Sequence, residues 1–136
     1  MIDRPVTLPT PLQELISKSL KICEVMLPIS DVFYPFAAIN KDGRTGCVFA
    51  DETKESKRES QLIEQLQWRI IDATTGSNSY SVLVYAATVN TQDSKNMDAI
   101  AVVTSSPDQG EHLLLYPYYR VDGSIVISPP ISTAAP

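Results

Sequence analysis

Histidine is almost missing from this 136-residue chain, which has one, His112; cysteine follows with two, Cys23 and Cys47, and glycine with five. A single imidazole cannot supply a zinc centre, which draws on several His or Cys side chains. A Ser/His or Cys/His catalytic pair would have to be built on His112 alone, and no GxSxG elbow offers it a nucleophile. The two cysteines match neither a CxxC nor a Cys/His metal spacing, so reduced, partly buried thiols are expected. The glycines do not cluster where phosphate could use them. "SSPDQG" holds one, follows a strand and opens no helix, unlike a P-loop or dinucleotide turn. "NTQDSKNMD" offers Asp93 and Asp98 without the acidic run and distant glutamate of a calcium loop. No catalytic residue, metal or cofactor is therefore assigned.

Positive charge is also short. Eleven basic residues stand against 16 acidic ones, for a net charge of −5, and they are scattered, so the basic stripe that neutralises phosphates is lacking. Long apolar runs are missing too: no stretch approaches the roughly 18 residues of a membrane span. "MIDRPVTLPTP" carries neither the basic nor the apolar segment of an export signal. The expectation is a cytoplasmic protein with no nucleic-acid or membrane partner.

What is present is ordinary globular material, 43% hydrophobic and 20% charged. At this length one domain over residues 1–136 is expected, with 1–9 and 129–136 as extended or frayed ends. "TPLQ" announces a helix, with Thr10 as cap, Pro11 in the first turn and Gln13 completing a capping box. Leu12, Leu15, Ile16, Leu20, Cys23 and Leu27 then form one apolar stripe, so the helix spans about 11 to 27 before Pro28. "FYPFAAINKDGRTGCVFA" reads as a hairpin of residues 33–39 and 44–50 around Asp42-Gly43. Ser56 and Glu59 repeat the capping logic in a mixed charge run, most simply the solvated start of a second helix. That helix carries a stripe of Leu62, Ile63, Leu66, Ile70 and Ala73, ends before Gly76, and leaves Trp68 off the centre of the stripe. Strand-like runs follow at 80–89, 97–104 and 111–120, with "SIVIS" as a short addition after Asp122-Gly123.

This order predicts an α+β fold: an antiparallel sheet of about five strands in α-ββ-α-βββ sequence, with both helices packed on one face. The element order is similar to that of roadblock and profilin-like folds. Three patches, "FYPFAAINKDGR", "AATVNTQDSKNMDAIAVV" and "LLLYPYYRVDGSIVISPP", resemble small uncharacterised bacterial proteins with a "PF…DG" hairpin, a "DAI" strand and a "PY" strand. The resemblance implies a fold and carries over no site residue.

The densest aromatic stretch is "EHLLLYPYYR". On a strand, Leu113, Leu115, Pro117 and Tyr119 point one way, and His112, Leu114, Tyr116, Tyr118 and Arg120 the other. Both faces are substantially apolar, as are those of 80–89 and 97–104, which suits a sheet covered on both sides. If the helices cover one face, the other is left for the chain's own tail, a second copy, a protein partner or a ligand. Tyrosine and arginine are favoured at interface hot spots. Tyr85, His112, Tyr116, Tyr118 and Arg120 are therefore the expected interface residues of a non-enzymatic protein-interaction or homodimerising module. The alternative is a small-molecule site lined by the tyrosines. An enzyme would need perturbed acids or tyrosines in one cleft, which sequence cannot assemble.

Overall fold

The apolar stripe of the first helix is realised almost as its spacing requires. In the computed structural model, which describes residues 8–29, 35–49, 59–74, 79–90, 96–107 and 109–133, α1 spans Thr10–Met26 and buries Leu12, Leu15, Ile16, Ser19 and Cys23. Its start differs from expectation. Pro9 holds the cap position, Thr10 is already helical, and no side chain caps the first turn. Pro9 contributes its carbonyl to the Gln13 N–H at 3.0 Å, and Gln13 Nε2 donates to the Leu8 carbonyl at 2.7 Å. A proline carbonyl can begin the ladder as well as a threonine carbonyl, so the helix extends back by one residue.

β1 (Phe36–Lys41) and β2 (Arg44–Phe49) pair around the expected turn, β1 reaching two residues further toward it than expected; residues 33, 34 and 50 of the expected strands lie outside the described residues. Asp42 and Gly43 sit at φ +52° and +83°, the left-handed pair of a turn whose twist matches that of its strands. α2 covers Glu59–Thr74; Ser56 of the expected capping box lies outside the described residues. β3 (Ser79–Val89), β4 (Met97–Ser106) and β5 (Gly110–Val121) build the long centre of the sheet. β6 (Ser124–Ile127) returns through a second Asp-Gly turn, Asp122-Gly123. β7 (Ile131–Thr133) lies in the tail that was expected to be extended or frayed.

The order across the sheet is β2-β1-β3-β4-β5-β6, with β7 also pairing β5 and every pair antiparallel. The chain is α+β, as its element order predicts. β6 and β7 run in line along one edge of β5, joined by a bond from the Ser128 N–H to the Pro117 carbonyl at 2.7 Å. Tyr118 faces Ile127 while Leu115 faces Ile131, so the outer strand carries one residue more than β5 between these pairs. The extra residue falls at Pro129-Pro130, and proline is tolerated at such an edge bulge. Because side chains alternate, the bulge puts Ile127 on one face of the sheet and Ile131 on the other.

The helices do not share a face, which corrects the expected arrangement. α1 packs with Phe36, Ala38, Val82, Val84, Ile100, Val102, Tyr116 and Tyr118. α2 packs through Leu62 and Leu66 with Ala37 and Leu83, flanked by Val48, Tyr85 and Val103. These two sets are opposite parities of the same strands. The strands are apolar on both faces because each face receives a helix, and alternation alone does not say which helix takes which side.

Candidate functional site

The five residues expected at an interface are divided by the sheet. Register places His112, Tyr116, Tyr118 and Arg120 on the α1 face, and Tyr85 on the α2 face. Tyr116 and Tyr118 are each only 8% exposed, within the core beneath α1. This reverses the face assignment expected for β5, in which Leu113 and Leu115 were to be the helix-covered side. Burial raises the hydroxyl pKa of Tyr116. Burial is also the largest influence on Tyr118, reinforced by the Asp98 carboxylate and opposed by the Arg120 guanidinium.

Arg120 has a definite partner. Its Nη1 donates to the Leu27 carbonyl at 2.7 Å, at the C-terminal end of α1, where no basic residue lies in the helix's own last turn. A cation there complements the helix dipole and satisfies an orphan carbonyl. His112 is half-buried and pairs with Thr104, whose hydroxyl reaches the His112 carbonyl at 3.4 Å. Its Nε2 is buried with no hydrogen-bond partner among the described residues. Tyr85 is half-buried against the α2 cluster. None of these contacts builds a reactive constellation.

The open surface lies elsewhere. α2 sits over β1 and β3, and along its flank toward β4 and β5 runs a groove of about 650 Å³. Glu64, Trp68 and Ile71 recur at four- and three-residue intervals and form the helical wall, with Gln67 and Thr74 beside them. The spacing puts them on one strip of the helix, next to the buried strip of Leu62 and Leu66. The floor is the sheet: Leu83 and Val103 face each other across β3 and β4, and the adjoining row is Ser81, Ser105 and Glu111. Thr74 returns its hydroxyl to the Ile70 carbonyl at 2.6 Å.

Trp68 is 60% exposed and Ile71 50%. Beyond the groove the same face continues through Leu113 and Leu115, both half-buried, to Ile131, Tyr119 and Val126, which are exposed. Half of the α2 face is thus apolar and not covered by any described element. Periodicity alone contained one signal for this place: Trp68 falls outside the core stripe of its helix, and a large aromatic in that position is left facing outward. No comparable sign marked Glu111 or Ser105, whose roles depend on strand register.

The described residues that line the groove include neither histidine nor cysteine, nor any tyrosine. Two carboxylates, three hydroxyls and an amide around an indole form a set suited to binding. Among the described residues, no three His, Cys, Asp or Glu side chains come together as a metal site, and no helix is long and apolar enough to cross a membrane. No family model, curated protein or solved structure matches the chain.

Proposed function

We propose that this chain is a non-enzymatic protein-interaction module that receives its partner on the open half of the α2 face. The observation that carries the reading is the continuity of apolar surface from Trp68 and Ile71, across Val103 and Leu113, to Ile131 and Tyr119 on one side of one sheet. Contiguous exposed apolar surface is uncommon on monomers and marks places of association. Tryptophan and tyrosine are the side chains most often found at the energetic centre of such contacts. The free thiols of Cys23 and Cys47 suit a reducing compartment such as the cytoplasm. The likeness to small bacterial proteins involves turn and strand residues and points to no activity.

A small-molecule reading has one observation in its favour: the groove's volume falls within the usual range of ligand pockets. The experiment that separates the two places a photo-crosslinking side chain at position 68 or 131 in living cells, with Glu14 on the outer surface of α1 as control. Discrete protein adducts from 68 and 131, absent from position 14, are expected. Adducts identical at all three positions, or none at all, would remove the interaction reading.

A further inference from the structure

We infer that the groove beside α2 receives a segment of another protein in which a lysine or arginine is flanked by apolar side chains; the inference rests on the interaction reading above. The groove has an apolar centre in Ile70, Ile71, Leu83 and Val103. Its charged lining among the described residues is of one sign, with Glu64 on the helical wall and Glu111 at the start of β5, and no described basic residue lines it. Trp68 stands at the same wall with most of its indole accessible. An indole face and carboxylates together attract a cation, the first through its quadrupole and the second by charge-assisted hydrogen bonds.

Two features select a chain segment among cationic occupants. The groove does not end the apolar surface, since Leu113 lies beside Val103 and Leu115 beside Ile131 on the same face. A segment that crosses it can place apolar side chains on that continuation while its cation reaches a carboxylate on either wall, Glu64 on the helix or Glu111 on the sheet. A second copy of this chain is a poor fit. Two-fold pairing of the groove on itself would bring two Glu64 and two Glu111 side chains into one interface, and like charges set against each other at an interface oppose association.

The test uses a displayed library of random peptides selected against the full chain. Trp68 is the only tryptophan of the chain, so its fluorescence reports binding at the groove directly. Enriched peptides are expected to carry Lys or Arg next to apolar residues and to shift Trp68 emission. They should bind Glu64→Gln and Glu111→Gln about tenfold or more weakly, and weaken as salt is raised. Glu14→Gln, the same charge change on the exposed side of α1, should leave binding unaltered. Peptides without a cation that bind wild type and both glutamine variants equally, yet lose binding to Ile71→Ser by calorimetry, would overturn the cation inference and leave the interaction reading standing. Failure to enrich any peptide would overturn both. So would binding indifferent to both Ile71→Ser and Trp68→Ala, whereas sedimentation showing a dimer that Ile71→Ser dissociates would overturn the cation inference alone.

Discussion

Arg120 is a strand residue that completes a helix. Its bond to the Leu27 carbonyl fastens the end of α1 to the sheet, and hydrogen bonds involving a charged group contribute about 1.5–3 kcal/mol when partly shielded. Arg120→Ala is therefore expected to lower stability by about 1–2 kcal/mol, read as a lower denaturant midpoint at unchanged slope. Tyr116→Ala and Tyr118→Ala should cost more, roughly 2–5 kcal/mol each, because they leave cavities beneath α1; an equilibrium unfolding curve unchanged by both would contradict the face assignment. Cys23 is buried, and desolvation, aided by the neighbouring Glu24 carboxylate, pushes its pKa from 9.0 up to about 12. The folded state thus holds the thiol protonated while the unfolded chain ionises near 9.0. Stability is full below that pH and falls between it and about 12, by at most about 1.4 kcal/mol per pH unit from this group. Tyr116 and Tyr118, raised above 10.0, act with the same sign at higher pH. Unfolding free energies measured from pH 8 upward should fall less steeply in Cys23→Ala than in wild type. In native protein Cys47, exposed on β2, should react with a thiol reagent and Cys23 only after unfolding.

Among the elements, the hairpins rest on two Asp-Gly turns. A Cβ at Gly43 or Gly123 would meet nothing within 4 Å, so substitution there tests backbone conformation without a clash. Alanine forced into the left-handed region costs about 1–2 kcal/mol. Gly43→Ala is expected to lower the unfolding free energy by that amount, read as a lower melting temperature, and Gly123→Ala by no more, since β6 is a short outer strand. Turns of this kind are legible because the Asp-Gly pair states its own dihedral preference. The pairing of Ile131–Thr133 with β5 was not, since "SPPIST" reads locally as an extended tail. Only the free edge of β5, with a bulge to absorb the prolines, turns that tail into a strand. The start of α1 lies one residue before its sequence signal for a related reason: a threonine signals a cap more strongly than the proline before it, yet both can lend a carbonyl.

For the whole molecule, the asymmetry between the faces carries the functional argument. α1 covers its face with the larger core cluster, whereas on the other face no described element covers the β4–β5 half beside α2. Leu66, fully buried on α2, and Trp68, two residues away and mostly exposed, should therefore respond oppositely. Leu66→Ala is expected to destabilise by about 2–5 kcal/mol, while Trp68→Ala should stay within about 0.5 kcal/mol of wild type and lose partner binding. Thermal unfolding and crosslinking of the same two variants check both halves of that statement. Sequence by itself determined the helices, the hairpin turns, the antiparallel class and the fact that the strands are apolar on both sides, because periodicity and turn residues act over a few positions. Only the tertiary structure decided that the helices part to opposite faces, that Tyr116 and Tyr118 belong to the core, and that Trp68, Ser105 and Glu111 meet in a groove. The physical reason is alternation. A strand with two apolar faces is locally symmetric, and the choice between them is made by which helix docks on which side, through contacts between residues far apart in the chain.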